Sequence, residues 1–525
     1  MPTNVLIKNL LSNSLYEHPV SQTRLIETHV SWVILTGKYA YKIKKTVDFG
    51  FLDFSTLEKR KHFCEEELRL GQQFASEIYL NVVPITGTLD HPQINGTGPI
   101  LEYAIKMLEF PQENLLSTLL KQGGLTENII DQLSKLIAEF HQKTPIAAKE
   151  SRFGQPEEVH APSKQNFEQI APLLTNPTDI NQLKRLEIWS EQQFKQLQPS
   201  LQSRKDHGFI RDCHGDLHLA NIIFYKNKPI LFDRLEFNED LRWTDVIADL
   251  AFLMMDLTEK KQPGFANQLL NTYLHYTGDY EGLALLPYYL TYRAVVRAKI
   301  ALFRLKQEKL GDEEKKEIQN DYYNFINLAE SYTQPVKPSL IITHGFAGSG
   351  KTTVAKECVT HCGAIQINSD IIRKNLFDIP LHGHSNSGLN SGIYTAEATK
   401  ETYKKLSDLT EIIIKAGFTT LVDATFLQHS QRTCFYSLAK KMQIPFYILH
   451  CQVNNTEIEQ RIKRRLNNPN SDSEADLTIL IEQKKNNEPL TSLEKEHTLL
   501  IKDKQILSKN ILDKICPRVH FDALS

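Results

Sequence analysis

Residues 211–233 read RDCHGDLHLANIIFYKNKPILFD. His214 and Asp216 lie in an H-G-D triplet, Asn221 follows five residues after that aspartate, and the apolar run PILFD delivers Asp233. This order of polar groups suits phosphoryl transfer, with one carboxylate near an acceptor hydroxyl and then an amide and a second carboxylate on magnesium. Asp and Asn offer hard oxygen ligands, which magnesium prefers. H-G-D alone carries little information; with the spaced asparagine and an aspartate after a strand, the signal becomes specific.

Upstream, VSWVILTGKYAYKIK (30–44) is two β-rich runs broken by Thr36-Gly37-Lys38, which predicts a hairpin. Alternation puts Ala40, Lys42 and Lys44 on one face of the second strand and Tyr39, Tyr41 and Ile43 on the other. In STLEKRKHFCEEELRLGQQFA (55–75), Ser55 with Glu58 resembles a capping box, and Leu57, Phe63 and Leu70 contribute to an apolar side. Residues 79–110 return to strand-like runs. From residue 125 to about 330 the pattern is mostly helical, interrupted by short strands within 205–233.

A second phosphate motif lies downstream. ITHGFAGSGKTTVAK (342–356) contains G-x-x-x-x-G-K-[ST] between a predicted strand and a predicted helix. Its glycines Gly345, Gly348 and Gly350 let backbone N–H groups wrap phosphates, Lys351 reaches the terminal phosphates, and Thr352 offers magnesium a hydroxyl, with Thr353 next in line. NSDIIR then places Asp370 three residues before Arg373, on one side of an opening helix. A carboxylate there can accept a hydroxyl proton while the arginine holds substrate or phosphate. LVDATFLQHSQR sets Asp423 at the end of an apolar run, where such sheets bind ligands, with Arg432 following. EQRIKRRL puts Arg461 and Arg465 one helical turn apart with Arg464 adjacent, a row able to stabilise a transferring phosphate. Each carboxylate also has an ordinary reading as a helix cap, and the arginines as a solvated face.

The first stretch resembles the catalytic core of aminoglycoside phosphotransferases, choline kinases and other protein-kinase-like small-molecule kinases, over about residues 25–330. The resemblance implies Asp216 as catalytic base and Asn221 and Asp233 as metal ligands. It also implies an N-lobe lysine, best matched by Lys42 with Lys44 as alternative, paired with a helix glutamate, Glu67 or its neighbour Glu66. The sequence departs from the family in lacking an upstream G-x-G-x-x-G loop, and FDRLEFN replaces the protein-kinase D-F-G. TDVIADLAFLMMD looks like the C-lobe helix of that superfamily, with Asp249 a structural hydrogen-bonding residue. Residues 338–525 resemble P-loop kinases of the polynucleotide-kinase and zeta-toxin type, in which the D-x-x-R aspartate, here Asp370, is commonly the base. The whole chain resembles bacterial fusions of these two domains.

The chain has 525 residues, too many for one ordinary core. Lys plus Arg number 61 against 63 Asp plus Glu, so no global charge draws it to nucleic acid or anionic membrane. It contains no run of about 18 apolar residues and no recognisable leader, and the seven scattered cysteines fit reduced thiols. The prolines of SYTQPVKPS (331–339) mark a boundary.

The expectation is therefore an α+β, protein-kinase-like bilobal domain over 1–330 (N-lobe about 25–108, C-lobe about 109–330). A linker at 331–337 leads to an α/β P-loop NTPase domain with a parallel sheet at 338–525. Function is expected to be a cytoplasmic, bifunctional phosphotransferase using ATP or GTP with magnesium on small-molecule hydroxyl acceptors, without a membrane partner. Nucleic acid is a possible acceptor for the C-terminal domain. The alternatives are a regulatory nucleotide-binding protein and a nucleic-acid end-repair kinase.

Overall fold

The hairpin read at residues 30–44 is the centre of the first sheet. Strands β1 (Arg24–Glu27), β2 (Ser31–Leu35) and β3 (Tyr39–Lys44) run antiparallel, with Leu35 opposite Ala40 and Gly37 at φ +86° in the turn, a backbone region glycine enters without a Cβ clash. Strands β4 (Tyr79–Gly87), β5 (Pro92–Ile94) and β6 (Ile100–Leu108) complete a six-stranded antiparallel sheet in the order β1-β2-β3-β6-β4-β5. Its two faces bury different sets: Trp32, Ile34, Tyr41 and Ile43 pack on one side, Leu35, Ala40, Ile105 and Cys64 on the other. The computed structural model describes residues 2–48, 50, 52–306, 310–380, 383, 392–466, 476–502 and 507–515.

Helix α1 (Leu57–Phe74) covers the second face, contributing the buried Cys64 and Leu70 together with buried Glu67. Its cap is Thr56, whose hydroxyl accepts the Lys59 N–H, and not Ser55 as the spacing suggested. Ser55 is engaged elsewhere, donating its own N–H and hydroxyl to Asp53 Oδ1. Two short antiparallel pairs frame the 211–233 stretch: β7 (Ile210–Asp212) with β10 (Trp243–Asp245), and β8 (Ile222–Tyr225) with β9 (Lys228–Leu231). Helix α2 (Val246–Glu259) follows directly, and α3 (Pro263–Thr277) begins with proline at its first position, where no intrahelical N–H bond is lost.

The C-terminal sheet is parallel throughout. Strands β11 (Leu340–His344), β12 (Ile365–Asn368), β13 (Thr420–Asp423), β14 (Phe446–Gln452) and β15 (Thr498–Lys502) lie in the order β12-β13-β11-β14-β15. Strand β15 is a short outer strand with only Ile501 buried, so its apolar signal in the sequence is thin. Helices α4 (Lys351–Cys362), α5 (Ser369–Leu376), α6 (Ala396–Lys415), α7 (Asn455–Leu466) and α8 (Leu477–Lys485) belong to this part of the chain.

Contacts divide the chain into two compact units, Met1–Val159 with Gln202–Leu253, and His160–Leu201 with Met254–Ser525. Helix α3 therefore packs in the same unit as the parallel sheet. Cys64, Cys213, Cys358, Cys434 and Cys451 are free thiols, whereas Cys362 is disulfide-bonded, which departs from the all-reduced expectation; its partner lies outside the described residues. An odd count of cysteines says nothing about which two the fold brings together. No described helix is long and apolar enough to cross a membrane.

Candidate active sites

In the first unit, strand alternation turns Lys42 inward from β3 and helix periodicity turns Glu67 toward it from α1. Lys42 Nζ donates to Glu67 Oε1 at 2.8 Å and to Asp233 Oδ1 at 2.5 Å. Lys44, two residues on and on the same face, donates to Glu67 Oε2 at 2.8 Å and also pairs with Glu236. Both lysines touch Glu67, but Lys42 alone reaches Asp233. Glu66 points outward to Arg69. Burial alone would raise the Glu67 carboxyl, yet the two ammonium groups win and hold it near 2. Burial raises Glu236 against the pull of Lys44 and Lys42, helped by the nearby Glu67 and Asp233 carboxylates. Lys42 is raised well above its ordinary value because the surrounding carboxylates, Asp233 first, outweigh its own burial. In the sequence Glu236 carries no signal beyond being an acidic residue three after Asp233.

The H-G-D turn is held from below. Asp249 on α2 accepts the His214 N–H at 3.0 Å and the Gly215 N–H at 2.8 Å, and its Oδ2 lies 3.1 Å from His141 Nε2. His214 is pushed down by burial and so stays neutral. It donates Nε2–H to Phe232 O at 2.9 Å and accepts the Asp216 N–H at Nδ1 at 3.3 Å, tying the turn to the strand end that carries Asp233. Asn221 Nδ2 donates to the Asp216 backbone oxygen at 3.0 Å and to its Oδ2 at 3.1 Å. Asp233 has φ +60°, a strained value for a non-glycine residue, and its N–H is held by Tyr79 Oη at 3.0 Å. Asn221 Oδ1 and Asp233 Oδ2 have no hydrogen-bond partner among the described residues, and each is a hard oxygen of the kind a divalent cation takes.

In the second unit, the loop between β11 and α4 has Gly345, Gly348 and Gly350 at φ +147°, +80° and +91°. A Cβ at Gly345 would lie 2.9 Å from the Cys451 carbonyl, so both conformation and space demand glycine there. Lys351 Nζ donates to Phe346 O at 2.8 Å, and Thr352 Oγ1 donates to Asp423 Oδ2 at 3.0 Å. The same carboxylate oxygen accepts Gln366 Nε2 at 3.1 Å and Asn368 Nδ2 at 2.9 Å. Oδ1 has no partner among the described residues. A threonine hydroxyl beside a carboxylate with one open oxygen fits magnesium.

A cavity of about 870 Å³ opens on this loop. It brings together Gly348, Gly350, Lys351, Thr352 and Thr353 with Asp370, Arg373 and Asp423. Asn368 Oδ1 caps α5 by accepting the N–H groups of Asp370 and Ile371, so the N-cap role does not fall to Asp370. Arg373 is 7% exposed and donates to Ile393 O at 2.8 Å and Thr399 Oγ1 at 3.2 Å. Arg461 pairs with Glu457 at 2.9 Å, and its Nη1 lies 3.4 Å from where a Gly350 Cβ would stand, beside the loop. The side chain of Arg465 lies outside the described residues.

Arg432 is elsewhere: it is 1% exposed and bonded to Glu494 at 2.7 Å and to the Phe426 and Leu427 carbonyls, which makes it a brace. Nothing in the sequence marks the side chains of Gln366 and Asn368, nor that of Gln483 of α8, whose Oε1 accepts the Ala347 N–H of the phosphate loop at 2.8 Å. Amides carry no spacing rule that would have marked them.

Residues 60–286 match the model of the phosphotransferase enzyme family, and residues 340–490 match that of an AAA domain. The N-terminal part has the kinase-like fold of that phosphotransferase family, and the C-terminal part is a P-loop domain on a parallel sheet. Uncharacterized proteins of Mycobacterium tuberculosis and Mycobacterium bovis are 27% identical over 467 residues, spanning 88% of this chain and 91% of theirs. An amicoumacin kinase complex is 16% identical and covers 62% of this chain and 93% of its own, with a TM-score of 0.39. A Sinorhizobium meliloti gluconokinase is 18% identical and covers 35% of this chain and 91% of its own, with a TM-score of 0.24. A Mesorhizobium loti choline/ethanolamine kinase family protein is 11% identical and covers 64% and 95%, with a TM-score of 0.40.

Proposed function

We propose that the chain is a bifunctional phosphotransferase that uses ATP, or GTP, with magnesium in both domains and transfers the γ-phosphoryl group to hydroxyl acceptors. The observation that carries this is Lys42 joining Glu67 and Asp233 in the same unit as the Asp216–Asn221 pair. A lysine so held presents a fixed positive charge to nucleotide phosphates, and Asp216, oriented by Asn221 and by the His214 turn, takes the acceptor proton. Bound magnesium would neutralise phosphate charge; Asn221 and Asp233 would hold it here, and Thr352 and Asp423 in the second site. There, Lys351 and the loop amides cradle phosphates, Asp370 serves as base, Arg373 holds the acceptor and Arg461 stabilises the charge of the transferring group.

Lys400 and Lys404 line the second cavity one helical turn apart. They favour an anionic acceptor for that domain, a phosphorylated or acidic small molecule or a nucleic-acid end. Labelled ATP with a metabolite extract tests the proposal. Asp216→Asn should abolish one labelled product and Lys351→Ala another, each sparing the other. If either single change removes all labelling, two independent sites are the wrong model; if the wild-type chain labels nothing, transfer itself fails.

A further inference from the structure

Strand β12 is an outer strand of the parallel sheet, and such an edge leaves backbone groups to be satisfied. Side chains of α3 satisfy them. Asn271 is 4% exposed; its Oδ1 accepts the Gln366 N–H at 2.7 Å and its Nδ2 donates to Ala364 O at 3.1 Å, so one amide group pairs with the strand as a peptide would. His275 Nε2 lies 3.2 Å from Gln366 O, and Asn267 Nδ2 reaches Thr360 O of helix α4 at 3.4 Å. Residues 267, 271 and 275 are four apart and therefore share one helix face. Both backbone groups of Gln366 are thus held by α3, while its side chain donates to Asp423 Oδ2.

We propose that Asn271 is a positioning residue for the Asp423 carboxylate, acting through Gln366. The proposal rests on the reading that Thr352 and Asp423 hold the divalent cation. Three donors converge on Oδ2, from Thr352, Gln366 and Asn368, and they fix the plane of the carboxylate and leave Oδ1 for the metal. Thr352 lies in the first turn of α4 and Asn368 at the end of β12. Gln366 alone of the three is tied to α3, a helix within the stretch matching the phosphotransferase family, so this bond makes metal binding at the P-loop depend on that helix. Partners of this kind, bonded to a ligating group, typically change metal affinity about 10- to 100-fold when removed.

The test uses the full chain and a fluorescent ADP analogue, with magnesium titrated and the Lys351→Ala chain giving the signal from the other domain. Asn271→Ala and Gln366→Met should each raise the magnesium needed for half-maximal analogue binding by about tenfold. Affinity for the analogue in EDTA should stay within about twofold, and the double variant should be no worse than the weaker single one, because the two act in series. An unchanged magnesium requirement in Gln366→Met, or in a folded Asn271→Ala chain, overturns the proposal, whatever happens to melting temperature; Gln366→Met decides alone if Asn271→Ala does not fold. If Asp423→Asn also leaves that requirement unchanged, the metal reading itself is what has failed.

Discussion

Lys42 and Asp233 are 191 residues apart in the chain and 2.5 Å apart in the fold. Lys44, on the same strand face, reaches Glu236 instead. The two lysines share Glu67 but differ in their second carboxylate.

Lys42→Met should therefore lower turnover by the N-terminal domain, measured in a Lys351→Ala background, by about 100-fold or more. Lys44→Met strands Glu67 and Glu236 with one cation between them and should cost about 3–5 kcal/mol in stability. Steady-state rates and thermal melts of both variants check this. Full turnover in Lys42→Met would hand the phosphate-facing role to Lys44.

Asp370→Asn keeps size and, because Asn368 already caps α5, should leave melting temperature unchanged. Phosphoryl transfer by the C-terminal domain should fall by about 10²–10⁴ while Mg-ATP affinity changes little. Weakened magnesium-dependent nucleotide binding would instead make Asp370 a metal ligand, and retained transfer would remove it as the base.

Arg461 stands beside Gly350 and ends in a guanidinium able to meet charge that builds during transfer. Arg461→Ala should lower the transfer rate, on the order of 10³ by analogy with other phosphoryl-transfer arginines, more than it lowers ATP affinity. Equal rates would return it to a helix-surface pair with Glu457.

His344, at the end of β11, is pushed down to about 4 by burial first and by His450 next to it. Its folded value lies below the ordinary 6.5, so the unfolded chain binds the proton more readily. Stability from the neutral ring is complete above about pH 6.5 and declines as pH falls toward 4, by on the order of 2–3 kcal/mol. His344→Gln, which keeps a donor for the Phe426 carbonyl, should flatten that part of the stability profile in urea melts between pH 4 and 7. An equally steep profile would assign the acid sensitivity to other groups.

The sequence by itself determined what local geometry governs. A two-residue alternation placed Lys42 and Lys44 together on one strand face, and an H-G-D turn with a spaced asparagine and a G-x-x-x-x-G-K-T loop between strand and helix each stood out as a local pattern. These patterns lie within single elements, where backbone periodicity decides which side chains are neighbours. Only the tertiary structure separated Lys42 from Lys44 and Glu67 from Glu66, since each choice turns on which partner a distant segment delivers. It also turned Arg432 into a brace by bringing Glu494 to it, and set Asn271 against β12. Arginines and amides read alike in a sequence whether they face phosphate, a carboxylate or a backbone edge. Packing decides among these, because a buried donor or acceptor left unpaired costs about 1–3 kcal/mol, and the fold is the arrangement that pairs nearly all of them at once.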